Sequence, residues 1–70
     1  MDMRKLVGRN VKRFRIERDL TQEQLAEVTG FTQQYLSGLE RGYRNPTVVT
    51  LFELAQALRC TPAELVSEKD

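Results

Sequence analysis

Seventy residues, 40% of them hydrophobic and 30% charged, suit one globular domain with a single modest core and exclude a disordered chain. No apolar run is long enough to cross a bilayer, and no signal-peptide pattern follows "MDMRKLVGRNVKRF", so the chain is expected to be cytoplasmic with no membrane partner. A single cysteine (Cys60) and no histidine leave neither an internal disulfide nor a Cys/His metal site, and the net charge of +1 is uneven: residues 1 to 18 carry seven basic and two acidic side chains, the remainder four and eight.

The first element runs from about Met3 to Arg18, where Val7, Val11 and Phe14 recur at helical spacing and Leu6 widens the stripe. The second follows Thr21, whose "TQEQ" is a capping-box pattern, with Leu25, Ala26 and Val28 as its inner side and Gly30 as a left-handed stop. The third is "GFTQQYLSGLERG": Thr32 is the candidate N-cap, Leu36 and Leu39 point inward, and Gly42 closes the helix. A polar loop leads to the fourth, from about Thr47 to Leu58, with Leu51, Leu54, Ala55 and Leu58 on one side. Either Asn45 with Pro46 at the first position or Thr47 itself caps that helix. Its "PTVVTLF" is β-branched, but no second strand exists to pair with it. The fifth is short and opens on "TPAE", with Thr61 as N-cap and Glu64 reaching back. The final "SEKD" is expected to fray, and Cys60 to fill the turn before the fifth helix as a small apolar residue.

Residues 22 to 41 form a unit: a two-turn helix, a tight turn at Gly30 and a second helix, with small Ala26 allowing close approach and Leu25, Phe31, Leu36 and Leu39 inside. Thr29 sits where an apolar residue would be more usual. Its methyl can pack and its hydroxyl can bond back to the preceding turn. "LTQEQLAEVTGFTQQYLSGLERG", with the polar loop, Pro46 and "LFELAQALRC", resembles the phage repressor and Cro-type (XRE-like) helix-turn-helix family from about Leu6 to Leu65. The resemblance implies an all-α, compact five-helix repressor-like domain spanning residues 1–70, with the motif at about 21–41. It also implies sequence-specific binding of double-stranded DNA in transcriptional control, usually as a homodimer on a roughly palindromic operator.

In such a fold the third helix enters the major groove by its N-terminal end. With Leu36 and Leu39 turned inward, its base-facing set is Gln33, Gln34, Ser37 and Gly38. A glutamine amide donates and accepts together, which matches the N6/N7 edge of adenine, although glutamine is also simply a soluble helix former. Gly38 costs about 1 kcal/mol in a helix interior, so either a close approach demands it or the fold tolerates it. With no side chain, it contributes access more than readout. The backbone-facing set is Gln22, Thr32, Arg41, Tyr43, Arg44 and Asn45, with Lys12 and Arg9 as lesser candidates; Gln22 lies at a helix N-terminus suited to a phosphate. The family resemblance further implies that Gln22 braces Gln33, and that Arg15 and Glu40 form a partly buried ion pair between the first and third helices. Tyr35 either lies against the second helix or reaches a phosphate with its hydroxyl.

Leu65 and Val66 either face in, where the fifth helix caps the core, or face a partner; the dimer surface is expected around the fourth and fifth helices, with these two residues. A protein-interaction module on the same scaffold, without DNA binding, is the competing reading; acidic or apolar residues on the third helix would favour it, and amides beside Arg41 and Arg44 do not. With no paired carboxylates in a cleft, no phosphate loop and no metal constellation, no enzyme, cofactor, metal or small-molecule effector is implied.

Overall fold

A short polar side chain opens every helix of the computed structural model, which describes residues 1 to 69. Asp2 caps α1 (Met3–Glu17), Thr21 caps α2 (Gln22–Thr29), Thr32 caps α3 (Gln33–Glu40), Thr47 caps α4 (Val48–Leu58) and Thr61 caps α5 (Pro62–Leu65). Each side chain accepts a backbone N–H from the first turn, satisfying a donor that the helix itself leaves unpaired. Both expected capping boxes form, at Thr21 with Gln24 and at Thr61 with Glu64. Of the two ways to begin α4, Thr47 is the one used.

The helix ends are equally local. Gly30 takes φ +82° and its N–H donates to the Ala26 carbonyl at 2.8 Å, which turns the chain sharply between α2 and α3. The chain leaves α3 by a paired turn: Tyr43 N–H donates to the Gly38 carbonyl at 2.8 Å and Gly42 N–H to Leu39 at 3.0 Å. Asp19 and Arg59 hold the same left-handed conformation, both at φ 57°, after α1 and α4. There a side chain occupies a position that glycine would fill with less strain.

α1 runs through the middle of the fold and packs on α3, α4 and α5, while α2 packs on α3 and α4. The core joins Val7, Val11 and Phe14 of α1 to Leu25, Leu36, Leu39, Leu54, Ala55, Leu58 and Leu65. The α1–α3 crossing is tight: a Cβ on Gly8 would drive into the Leu39 carbonyl oxygen and come within 2.8 Å of that of Glu40. Among the described residues no strand is present and no helix is long and apolar enough to cross a membrane.

Three expectations need correction. Val28 is not an inner residue of α2; it is 64% exposed, because no neighbouring element covers that side of so short a helix. Leu65 is fully buried in the core and so is unavailable to a dimer partner, leaving only Val66 exposed in that pair. The "SEKD" tail is tied at its start: the Ser67 carbonyl accepts from the Asn10 side chain at 2.9 Å, and the Ser67 hydroxyl from Lys69 N–H at 3.1 Å. The expected fraying of Asp70 lies outside the described residues.

Asn10 is a feature the hydrophobic pattern passed over. It is wholly buried within the apolar stripe of α1, and its amide nitrogen donates to the carbonyls of Leu65 and Ser67 at 2.9 Å each. The Leu65 carbonyl ends α5 in a buried contact and would otherwise lack this donor. Asn10 is therefore the polar peg that fixes the C-terminal segment onto α1.

Candidate nucleic-acid interface

The position of α3 relative to the rest is set by a polar cluster beneath it. Arg15 Nε donates to Glu40 Oε2 at 2.6 Å and an Arg15 terminal nitrogen to Oε1 at 3.1 Å, a two-pronged pair with side chains 12% and 4% exposed. The other terminal nitrogen of Arg15 donates to the Leu20 carbonyl at 2.8 Å. Gln22 Nε2 adds a third hydrogen bond to Glu40, at 3.0 Å. The implied brace from Gln22 to Gln33 is not formed; the Gln22 amide nitrogen donates to Glu40 instead. The Arg15–Glu40 pair itself is present, and it holds α1, the loop before α2, the start of α2 and the end of α3 in one arrangement.

The turn between α2 and α3 is closed in the way the chain allows without an apolar residue at position 29. The Thr29 hydroxyl donates to the Leu25 carbonyl at 2.8 Å and accepts from Phe31 N–H at 3.3 Å. Phe31 then meets Tyr35 with ring centroids 5.5 Å apart. Tyr35 is half-buried against the core on that side.

On the outer side, Gln22, Gln33, Gln34, Ser37, Gly38 and Arg41 line one shallow concavity. All four residues expected to face bases are in it, together with two of those expected to face the backbone. Thr32 lies exposed at the entrance to α3, its hydroxyl oxygen accepting from Tyr35 N–H at 3.0 Å. Tyr43, Arg44 and Asn45 are exposed in the loop beyond, but Asn45 lines a separate groove with Met3, Pro46 and Val66.

The basic bias of α1 does less for this face than its composition suggests. Arg15 is committed to Glu40, Arg13 and Arg18 reach Glu17 at 3.5 and 3.2 Å, and Arg4 lies 3.6 Å from Asp2. Arg13 and Arg18 also lie over the Phe14 ring, at 4.6 and 5.0 Å from its centre. Positive charge beside the concavity comes instead from Arg41 and Arg44. Cys60, half-buried between α4 and α5, has its thiol pushed up by burial and, to a lesser degree, by the Glu64 carboxylate. That shift disfavours the thiolate, the reactive form of the side chain.

A capped helix, a left-handed glycine turn and a second helix with a polar, concave outer face together define a helix-turn-helix module. The HTH_3 helix-turn-helix family model matches residues 11–65, and the chain belongs to that family. The chain is accordingly a DNA-binding transcriptional regulator by family, and that family is not one of enzymes. It is 63% identical over 70 residues to an uncharacterized HTH-type transcriptional regulator, y4dJ, of Sinorhizobium fredii (strain NBRC 101917 / NGR234), covering 100% of this chain and 91% of that protein. Its fold matches the restriction-modification controller protein C.AhdI from Aeromonas hydrophila with a TM-score of 0.84 and 37% identity, covering 89% of this chain and 94% of that one. It also matches SinR, a master regulator for biofilm formation, in complex with DNA, with a TM-score of 0.83 and 29% identity over 87% of this chain and 98% of that one.

Proposed function

We propose that this chain, a single domain over its whole length, binds a specific double-stranded DNA sequence as a homodimer and regulates transcription in the cytoplasm. The observation that carries the reading is the concavity of Gln22, Gln33, Gln34, Ser37, Gly38 and Arg41. It is lined by amides and a hydroxyl that can both donate and accept, which suits base edges in the major groove. Gln33 and Gln34 read bases from the first turn of α3, Ser37 follows one turn later, and Gly38 leaves room beside the groove. Gln22 and Thr32, at the N-termini of α2 and α3, receive phosphates where unpaired N–H groups point outward. Arg41, Tyr43, Arg44 and Asn45 hold the backbone at the other end of α3. Such contacts give affinity and register, while the amides give sequence preference.

Size supports the homodimer. The Cα extents are 30 × 22 × 20 Å, shorter than the roughly 34 Å between successive major-groove faces. Two copies related by a two-fold axis reach both faces, and the operator is then approximately palindromic. The surface offered to a second copy is the outward side of α4, where Val48, Val49 and Phe52 are 81%, 66% and 52% exposed, with Val66 nearby as a further exposed apolar residue. These side chains are not needed for the face that carries α3, and together they make an apolar patch that a partner would cover.

The test is binding to mixed-sequence duplex over a range of salt concentrations. The reading expects log K to fall steeply with log salt, as counterions are released from each neutralised phosphate. A flat response from a folded protein would favour the interaction module without DNA binding.

A further inference from the structure

The loop after α3 does not simply leave the motif. Tyr43 N–H donates to the Gly38 carbonyl at 2.8 Å, so the backbone just before Arg44 is anchored to the middle of α3. The Arg44 side chain then lies back over the helix. A Cβ on residue 38 would come within 3.1 Å of Arg44 Nε and 3.4 Å of its Cγ. The guanidinium ends 5.7 Å from the centre of the Tyr35 ring, one turn closer to the N-terminus of α3. Tyr35 is itself steadied by Phe31. Among the described residues no carboxylate pairs with Arg44, unlike Arg4, Arg13, Arg15 and Arg18.

We infer that Tyr35 and Gly38 are positioning residues for Arg44: the ring face and the missing side chain form a slot that holds the guanidinium beside α3, ready for one backbone phosphate. The inference rests on the DNA-binding reading above and deepens it. An arginine on a mobile loop must lose side-chain freedom when it meets a phosphate. One already laid in a slot has less to lose. The cation–ring contact leaves the edges of the guanidinium free to donate. Gly38 is then needed by the protein's own loop, and not only by an approaching duplex. Tyr35 works through its ring, and its hydroxyl is dispensable.

Two measurements test this. In the free protein, the Arg44 side-chain protons should show ring-current shifts in NMR spectra that persist in Tyr35→Phe and vanish in Tyr35→Ala. For mixed duplex DNA, Arg44→Ala should reduce the salt slope of log K by about 0.9, one phosphate's worth. Tyr35→Ala should weaken binding about two- to fivefold, the size of an exposed cation–π contact, and Tyr35→Phe should not. Gly38→Leu, which fills the slot, should abolish the Arg44 ring-current shifts in the free protein, a readout independent of how residue 38 meets the duplex. Melting curves confirm that each variant is folded. The slot is overturned if Tyr35→Phe is as damaging as Tyr35→Ala, if the ring-current shifts persist in Gly38→Leu, or if the Arg44 resonances ignore the loss of the ring. A parent protein that binds no duplex would overturn the DNA reading and the clamp's purpose together, while the NMR shifts would still report whether Arg44 sits in the slot.

Discussion

Glu40→Ala removes the acceptor on which three donors converge. Arg15 and Gln22 would be left with no replacement for it, in a site where the Arg15 side chain is 12% exposed. Removing one partner of a buried, hydrogen-bonded ion pair costs about 3–5 kcal/mol, chiefly because the other charge remains desolvated. A domain of this size has roughly 3.5–10 kcal/mol of total stability at 0.05–0.15 kcal/mol per residue. The lower figure for the substitution is thus at least about a third of the total. At about 4–8 °C per kcal/mol, the melting temperature followed by circular dichroism should fall by about 12 °C or more. The double variant Arg15→Met, Glu40→Leu should recover most of that loss, since apolar residues of similar size can replace a buried pair. An unchanged melting temperature for Glu40→Ala would refute the reasoning. So would a double variant no more stable than the sum of its single losses, because the penalty would then not be an unpaired buried charge.

Other outcomes follow from the same structure. Asn10→Asp, which turns a carboxylate toward the Leu65 and Ser67 carbonyls, should destabilise by about 3 kcal/mol or more in urea unfolding, whereas a surface change stays within about 0.5 kcal/mol. Arg59→Gly, at φ 57°, should stabilise by about 1 kcal/mol, read as a higher urea midpoint with unchanged slope. The Thr61 N–H holds the exposed Glu64 carboxyl below its ordinary range. A carboxyl depressed on folding contributes stability above its unfolded pKa of about 4.3, so the capping box of α5 should weaken only as pH falls below about 4, and Glu64→Gln should blunt that acid sensitivity. Cys60 should react with a maleimide at pH 7 more slowly than a free thiol, and unfolding in urea should remove the difference.

The parts of the fold that were legible in the sequence are those decided within a few residues. Thr21 with Gln24, Thr61 with Glu64 and Gly30 each act on their own turn, so spacing alone identified them. The Thr29 hydroxyl bonds back to Leu25, again a local matter. The readings that failed depend on what covers a residue from elsewhere. Val28 and Leu25 share an apolar spacing on α2, but only Leu25 is met by other helices. Leu65 ends a helix of four residues and Val66 caps it, too short a run for periodicity to say which one turns inward. Asn10 did leave a signal, a polar residue three after Val7 and one before Val11 in a stripe otherwise apolar. Gln22 left none for its bond to Glu40, because that partner is 18 positions away. Nor could the sequence show that Gly38 receives Arg44, since that contact requires the path of the loop after α3. The outward side of α3 was readable because the family resemblance fixes it, and Gln33, Gln34, Ser37 and Gly38 do share one concavity there.

The central claim is that α3 reads bases through Gln33 and Gln34. Selection from a pool of random duplexes, followed by sequencing, tests it most directly. The account predicts an enriched, roughly two-fold symmetric site whose half-sites are centred about one helical turn apart. It also predicts that Gln33→Ala and Gln34→Ala each relax preference at particular positions by about 1–3 kcal/mol while leaving the salt slope intact. Enrichment of no sequence by a folded protein, or of the same sequence by the parent and by the variant lacking both amides, would contradict it.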